Sequence, residues 1–374
     1  MNLKRSSKLH SNGVNMTTYI LRVNLDINAT EKYGSSVRFK SAFESIKKLS
    51  SGQNRLVIIS HRGRPEGFDK NLSLKRMHKL LQKKLGKSIK FFGHFGFRKI
   101  KAEIGKSAPG SVFMLENIRF LPGEIRNDSG LAKQLASLGD VFVNDDFATA
   151  HRENASNVGI AKYIKHQIGP NLKRELDLLI KAINRPKHPF VLIVGGAKIS
   201  DKMGVIKHLE RKCDFILLGG GPANTVIKAA GWDIDDSIYE SNMMAAAKKM
   251  TTNDKIVIPE DLEGENGSIF DIGPETIKKF SGIIRNAKTI IWGGPMGFFE
   301  KKGFEKGSYA IARAIASSNA FSIVGGGETT EIITALKLEK KISLLSTGGG
   351  AMLDFLAGKK LPALQALKKR NPKH

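Results

Sequence analysis

Apolar runs of strand length recur along the chain, and a basic, polar or glycine-rich segment follows nearly every one of them. In the first half these runs are 19–28, 55–60, 90–92, 112–120 and 141–143. The first alternates strictly, with Arg22, Asn24 and Asp26 on one face and Val23, Leu25 and Ile27 on the other. Taken alone, that polar face reads equally well as a binding surface or a solvent-facing edge. The run 55–60 leads directly into His61-Arg62-Gly63-Arg64-Pro65, 112–120 ends on Arg119, and 141–143 opens into a polar segment reaching His151 and Arg152. Stretches 37–49 and 73–85 carry helical apolar spacing. Strands that each deliver a basic residue at the carboxyl end, alternating with helices, predict an anion-binding α/β domain, because an open parallel sheet takes its ligand at that edge and arginine grips phosphate or carboxylate in two places.

The second half repeats the alternation with glycine in place of arginine. Runs 216–218, 289–292, 322–324 and 342–345 lead into Gly219-Gly220-Gly221, Gly293-Gly294-Pro295, Gly325-Gly326-Gly327-Glu328-Thr329 and Gly348-Gly349-Gly350. The most informative stretch is 189–202, where the run 190–194 ends in Gly195-Gly196 and is followed by Lys198, Ser200-Asp201 and Lys202. Glycines let an anion approach the backbone, and two lysines four apart are expected to share one helical face. A lone Gly-Gly-x-Lys is more often a tight turn. Four further glycine runs at strand ends are hard to explain by turns alone. Neither the Walker pattern nor the dinucleotide fingerprint is present in the sequence. Residues 172–183 predict an amphipathic connector helix closed by Asn184-Arg185-Pro186, and 352–367 predict a terminal helix.

Composition narrows the class. A chain of 374 residues suggests two domains, and no apolar stretch approaches the length needed to cross a bilayer, so no membrane partner is expected. The single cysteine, Cys213, excludes an internal disulfide and points to a reducing, cytoplasmic setting; it reads as a packing residue. The net charge of +26 would concentrate anionic substrates. Its dispersal along the chain argues against nucleic acid as the partner. Residues 1–16 are basic and acid-free, and read as a leader or an extension ahead of a start at Met16.

The ordered series Ser-His-Arg-Gly-Arg-Pro, Leu-Glu-Asn-Ile-Arg-Phe, Val-Asn-Asp-Asp-Phe-Ala-Thr-Ala-His-Arg, Gly-Gly-Ala-Lys-Ile-Ser-Asp-Lys, Gly-Gly-Gly-Pro-Ala-Asn-Thr, Trp-Gly-Gly-Pro-Met-Gly-Phe-Phe-Glu, Gly-Gly-Gly-Glu-Thr-Thr and Ser-Thr-Gly-Gly-Gly-Ala resembles the phosphoglycerate kinases from about Arg22 to Leu367. The resemblance implies two doubly wound, mainly parallel α/β domains facing across a cleft. Residues 17–170 would bind 3-phosphoglycerate or 1,3-bisphosphoglycerate, 171–186 would connect, 187–350 would bind ADP or ATP with Mg2+, and 351–374 would return to the N-terminal domain.

By the same resemblance Arg38, Lys198 and Lys202 would be catalytic, with Lys202 also on the nucleotide phosphates. Asn24, Asp26, His61, Arg64, Arg119 and Arg152 would bind the phosphoglycerate. Gly219, Gly220, Gly221, Asn224, Gly294, Glu300, Gly326, Gly327, Glu328 and Thr329 would line the nucleotide site, and Glu328 would meet the metal. A monomer with no obligate protein partner is implied. The chain departs from the family pattern where Asn24 precedes Asp26 in place of Asp then Asn, where Gly293 replaces an asparagine, and where Glu328 replaces an aspartate. Those departures, with the charge, motivate the competing reading: a degenerate member acting as a basic nucleotide- or nucleic-acid-binding protein.

Overall fold

The structure, a computed structural model, describes residues 16–27 and 36–372. The expected leader therefore lies outside the described residues, apart from Met16. Fourteen strands are present among the described residues: β1 (Thr18–Arg22), β2 (Arg55–Ile59), β3 (Ile89–Phe92), β4 (Val112–Leu115), β5 (Val141–Asn144), β6 (Lys165–Ile168), β7 (Phe190–Val194), β8 (Phe215–Leu218), β9 (Ile256–Val257), β10 (Leu262–Glu265), β11 (Ser268–Ile272), β12 (Thr289–Gly293), β13 (Phe321–Gly325) and β14 (Leu344–Ser346). They form a six-stranded sheet of order β3-β4-β2-β1-β5-β6, a second of order β14-β13-β12-β7-β8-β9, and the hairpin β10-β11.

Every pairing in the two large sheets is parallel. Helices cover both faces, so successive strand residues enter opposite cores: Val57 and Ile59 pack on one side of the first sheet, Leu56 and Ile58 on the other. Both expected α/β layers are thus present, and Cys213 is buried in the core of the second half, its thiol pushed up to about 12 by burial.

Three elements differ from the sequence expectation. The strand 19–28 stops at Arg22, although Val23 N–H still reaches Ile59 O at 3.1 Å; Leu25 N–H then turns to Ser60 Oγ at 2.9 Å. The run 112–120 is strand only to Leu115, followed by a 3-10 turn over Ile118–Phe120. Its polar residues take the backbone away from the ladder: Glu116 accepts from Leu74 N and Asn117 N, and Asn117 Oδ1 accepts from Arg62 N and Arg119 N. The expected terminal helix is two helices, Gly350–Leu356 and Pro362–Lys368, separated at Gly358 with φ +76° and restarted by a proline, which lacks the N–H a helix interior requires.

The connector helix Pro170–Asn184 buries Leu172, Leu176 and Leu179 in the core of the second half. The C-terminal segment touches the first half: in the helix Pro362–Lys368, Ala363 N–H donates to Ala150 O at 3.1 Å, and beyond the helix Asn371 Oδ1 accepts from His166 N–H at 2.7 Å. The connector also carries Glu175, a buried carboxylate that accepts from Ser346 Oγ at 2.7 Å and Thr347 Oγ1 at 2.6 Å. Burial outweighs those bonds and pushes the carboxyl up from 4.5 to about 7. The folded chain thus holds a proton that the unfolded chain releases from about pH 4.5 upward. Its contribution to stability is complete below that pH and is lost as pH rises toward 7. Urea unfolding between pH 5 and 8 is expected to show stability falling across that window. Glu175→Gln should remove this part of the slope, and an unchanged slope in the variant would refute the assignment.

Candidate active site

Both sites form at carboxyl ends of parallel strands, where strand order leaves a crevice. In the first half, Asp26, Arg38, His61, Gly63 and Arg119 are brought together. Asp26 Oδ1 accepts from Gly63 N at 2.8 Å, Asp26 O accepts from Arg38 Nη1 at 2.8 Å, and Arg119 Nη1 donates to Gly63 O at 2.6 Å. His61 is 2% exposed and receives a hydrogen bond from Arg22 Nη2 at 2.9 Å on Nδ1. Because guanidinium only donates, this bond assigns the ring proton to Nε2, which lies 3.6 Å from Asp26 Oδ2. Burial, then the charges of Arg22, Arg119, Arg38 and Arg152, hold the imidazole pKa well below its usual value, so His61 is neutral at pH 7. Arg119, lowered to about 10 by burial and Arg22, remains a cation at neutral pH.

The four charges acting on His61 place Arg152 in the same basic cluster, while Arg64 is exposed on the turn after β2. Asn24 is turned to the fold: Nδ2 donates to Asp146 Oδ1 at 3.1 Å and Oδ1 accepts from Asp26 N at 2.9 Å.

Arg22, read from sequence as part of an open polar face, is 1% exposed. Its Nε donates to Ser156 Oγ at 3.0 Å, Nη1 to Val23 O at 2.7 Å, and Nη1 lies 3.1 Å from Asp146 Oδ2. Ser156 Oγ donates in turn to Glu124 Oε1 at 2.6 Å. Sequence reasoning missed this support because Glu124, Asp146 and Ser156 are scattered and ordinary in the chain; only Asp146, inside a polar strand end, gave a signal.

In the second half, the segment after β7 adopts a loop, and the helix begins only at Ser200 (Ser200–Leu209). The expected shared helical face of Lys198 and Lys202 is therefore corrected: Lys198 precedes the helix and is exposed, whereas Lys202 lies in its first turn, half-buried, with its pKa lowered by burial. Lys198 forms no hydrogen bond or ion pair among the described residues, and its charge contributes to holding the Glu240 pKa below its usual value. The backbone here is packed too closely for side chains. A Cβ on Gly294 (φ +93°) would collide with Gly195 O, and one on Gly221 with Ala197 O. Gly219, Gly220 and Gly221 spend their N–H groups on Val194 O, Met296 O and Gly196 O, so they supply a flat wall rather than anion donors. At Gly293, by contrast, the nearest atoms to an added Cβ are 3.8 Å away, and a side chain would fit.

Beside that wall lies a cavity of about 390 Å³ lined by Gly220, Gly221, Asn224, Glu300 and Glu328 among the expected residues. Gly326 and Gly327 open the neighbouring helix Gly327–Ala335, whose first-turn N–H groups have no acceptor within the helix. Thr329 is turned inward, its Oγ1 accepting from Gly294 N at 2.9 Å, and so supports the turn instead of facing a ligand. Glu328 is an exposed carboxylate whose pKa is raised by burial of its base and by Glu300, and lowered by Lys202. A cation shared with ligand phosphates suits that position, since Mg2+ takes one or two carboxylates and completes its shell from phosphate and water. No cluster of three or more potential ligands exists among the described residues to hold a metal without such help.

The apolar lining from Ile238, Leu262, Ile269 and Phe270 went unnoticed in the sequence, whereas Met296 and Phe298 lie in one of the motifs that carry the resemblance. The available signal was Asn266-Gly267, whose φ values of 51° and 74° close the β10-β11 hairpin as a type I′ turn.

The family model for phosphoglycerate kinase matches residues 11–359. A phosphoglycerate kinase of Dictyoglomus turgidum is 41% identical over 373 residues, covering 92% of this chain and 94% of the relative. That of Buchnera aphidicola is 39% identical, covering 98% of each. The solved phosphoglycerate kinase of Coxiella burnetii superposes with a TM-score of 0.81 at 36% identity over 96% of this chain and 97% of that one, and that of Pyrococcus horikoshii with 0.82 at 30% over 94% and 96%. With a buried basic cluster on one parallel sheet and a glycine-walled cavity on the other, the chain belongs to the phosphoglycerate kinase family.

Proposed function

We propose that this chain catalyses reversible phosphoryl transfer between 1,3-bisphosphoglycerate and MgADP, giving 3-phosphoglycerate and MgATP, as a cytoplasmic, monomeric phosphoglycerate kinase of glycolysis and gluconeogenesis. The observation that carries the assignment of substrates to halves is the division of labour just described: cations on the 17–170 side, a glycine-walled apolar cavity on the 187–350 side. Among the described residues no helix is long and apolar enough to cross a membrane.

The chemistry asks little of the protein beyond placement. The leaving group is a carboxylate and the attacking β-phosphate of ADP is already ionised, so no general base is needed. What remains is to bring two anions into line and spread the charge of the moving group. Arg119, Arg152 and Arg64 take the phosphoglycerate phosphate. His61, neutral and donating from Nε2, orients Asp26. The Asp26 carboxylate, a third exposed, is the acceptor for the substrate hydroxyl, and the buried Asn24, bonded to Asp26 N and Asp146, acts by holding it. Arg38 and Lys198 approach the transferred phosphoryl from opposite halves. Lys202 and Glu328 hold the nucleotide phosphates and the Mg2+ that arrives with them, and Glu300 meets the ribose. Thr329 acts through Gly294. Since the two substrates sit on different halves, transfer requires closure about the connector 171–186. Of the expected returning segment, the helix Gly350–Leu356 stays on the core of the second half, and only the stretch from Ala363 to Asn371 reaches the first half.

A coupled assay of ATP formation from 1,3-bisphosphoglycerate and MgADP tests the reading. Turnover dependent on both substrates and Mg2+ is expected, and a folded but inactive protein would overturn it.

A further inference from the structure

The C-terminal segment closes a second cavity, of about 630 Å³, against the first half, and none of the residues assigned above to phosphoglycerate or nucleotide lines it. Its walls are anchored by backbone on both sides. On one side Val158 N–H and Gly159 N–H donate to Asn154 O, and Ala155 N–H to Glu124 O; on the other, Ala363 N–H is held by Ala150 O and Asn371 Oδ1 by His166 N–H. The size falls within the range of ligand sites, and part of the lining is apolar, from Val158, Ala161 and Ala366.

Four cations from separate points of the chain meet at this cavity: Lys162, Lys360, Lys369 and Arg370. All four are exposed, and none forms a side-chain hydrogen bond or ion pair among the described residues. A solitary surface lysine would mean nothing. Other exposed lysines are nonetheless paired: Lys359 with Asp354 at 2.7 Å, Lys173 with Asp177 at 2.6 Å and Lys279 with Glu260 at 2.6 Å. Glu153 is the one carboxylate among the lining residues, so an excess of three positive charges surrounds a concave surface. Such a surface gathers anions, and a chain of linked phosphates carries charge on every unit, so a single ligand can meet cations from both walls.

We infer that this cavity binds a polyphosphate chain, and that the bound chain clamps residues 363–371 onto the first half. Inorganic polyphosphate and a nucleoside triphosphate share that chemistry, and the apolar part of the lining tells them apart.

The test is lysine acetylation of the full chain at constant ionic strength, read residue by residue by mass spectrometry, with inorganic tripolyphosphate as the probe. The readout is local, so anion held at the phosphoglycerate cluster does not register. At several times Kd the reactivity of Lys162, Lys360 and Lys369 is expected to fall together by about fivefold. Lys165 and Lys302, exposed but outside the lining, should be unaffected. Stronger protection by ATP would support the site and place a base on the apolar patch; equal protection would support the site with the phosphate chain alone recognised. Absence of protection, or equal protection of Lys165 and Lys302 by general screening, would overturn the inference. In Lys162→Glu with Arg370→Glu, protection of Lys360 and Lys369 should require about tenfold more tripolyphosphate or be lost, with turnover and melting temperature unchanged because both residues are exposed and unpaired. Protection retained at the original concentration would overturn it. Hydrogen exchange at 363–371 should slow on adding tripolyphosphate to the wild type and not to the variant, and exchange unchanged in the wild type would overturn the clamp.

Discussion

Lys198→Ala is expected to lower kcat by roughly a thousandfold, about 4 kcal/mol of transition-state stabilisation, with the melting temperature unchanged. The two halves of this expectation come from the same observation. Lys198 is exposed on the loop between β7 and the helix at Ser200 and forms no hydrogen bond or ion pair among the described residues. Its removal therefore opens no cavity and strands no buried partner, and the fold loses nothing it uses. The loop itself is set by backbone, since Gly195 N bonds Gly293 O and Gly196 N bonds Pro295 O. On the proposed function, a long, flexible, exposed cation without a partner is available for the charge that appears in the transition state. Lys198→Arg should recover little, because a planar fork does not present the compact point charge that a single phosphoryl group takes from an ammonium. Stopped-flow or steady-state turnover beside thermal unfolding reads both parts. A near-normal rate would remove Lys198 from the transfer, and a lowered melting temperature would show that the loop depends on it.

The fold was legible wherever burial on two sides imposed continuous apolar runs, as in β7, β8, β12 and β13, and the sites were legible where glycine or arginine followed such a run. Legibility failed where side chains compete with the backbone for hydrogen bonds. The run 112–120 has strand composition, but Glu116 and Asn117 bond the backbone of Leu74 and Arg62 and end the ladder. No local rule anticipates a bond to a residue more than forty positions away. The terminal helix failed differently, because its apolar spacing survives the interruption at Gly358 and Pro362. Alternation also misled at Arg22: period two correctly separates it from Leu21 and Val23, but says nothing of what covers that face. There the cover is the segment Ala155–Gly159 and the strand end at Asp146, which supply Ser156 and the partner carboxylate. The same limit explains the cavity, whose apolar wall comes from a hairpin more than thirty residues beyond the helix bearing Asn224.

Asp146→Ala is expected to destabilise the first half by about 3–5 kcal/mol, the cost of leaving a buried charge without its partner. Asp146 is wholly buried and holds three side chains at once: it lies 3.1 Å from Arg22 Nη1, accepts from Asn24 Nδ2 at 3.1 Å, and accepts from Thr149 Oγ1 at 2.8 Å. Arg22 cannot escape to water, because Ser156, Val23 and His61 hold its remaining donors inside the sheet end. Arg22→Met alone should cost a similar amount, since it strands Asp146. The double variant Arg22→Met with Asp146→Leu should cost markedly less than the sum, because no unpaired charge remains; a double-mutant cycle in urea unfolding measures the coupling. Strict additivity would show that the pair contributes no mutual stabilisation. Function separates the two roles of the pair. Even if the double variant regains stability, it should bind phosphoglycerate weakly, because Arg22 fixes the His61 tautomer that directs Nε2–H at Asp26. Stability recovered without KM for 3-phosphoglycerate would place the cluster's purpose in aiming the basic site, and recovery of both would reduce it to a packing element.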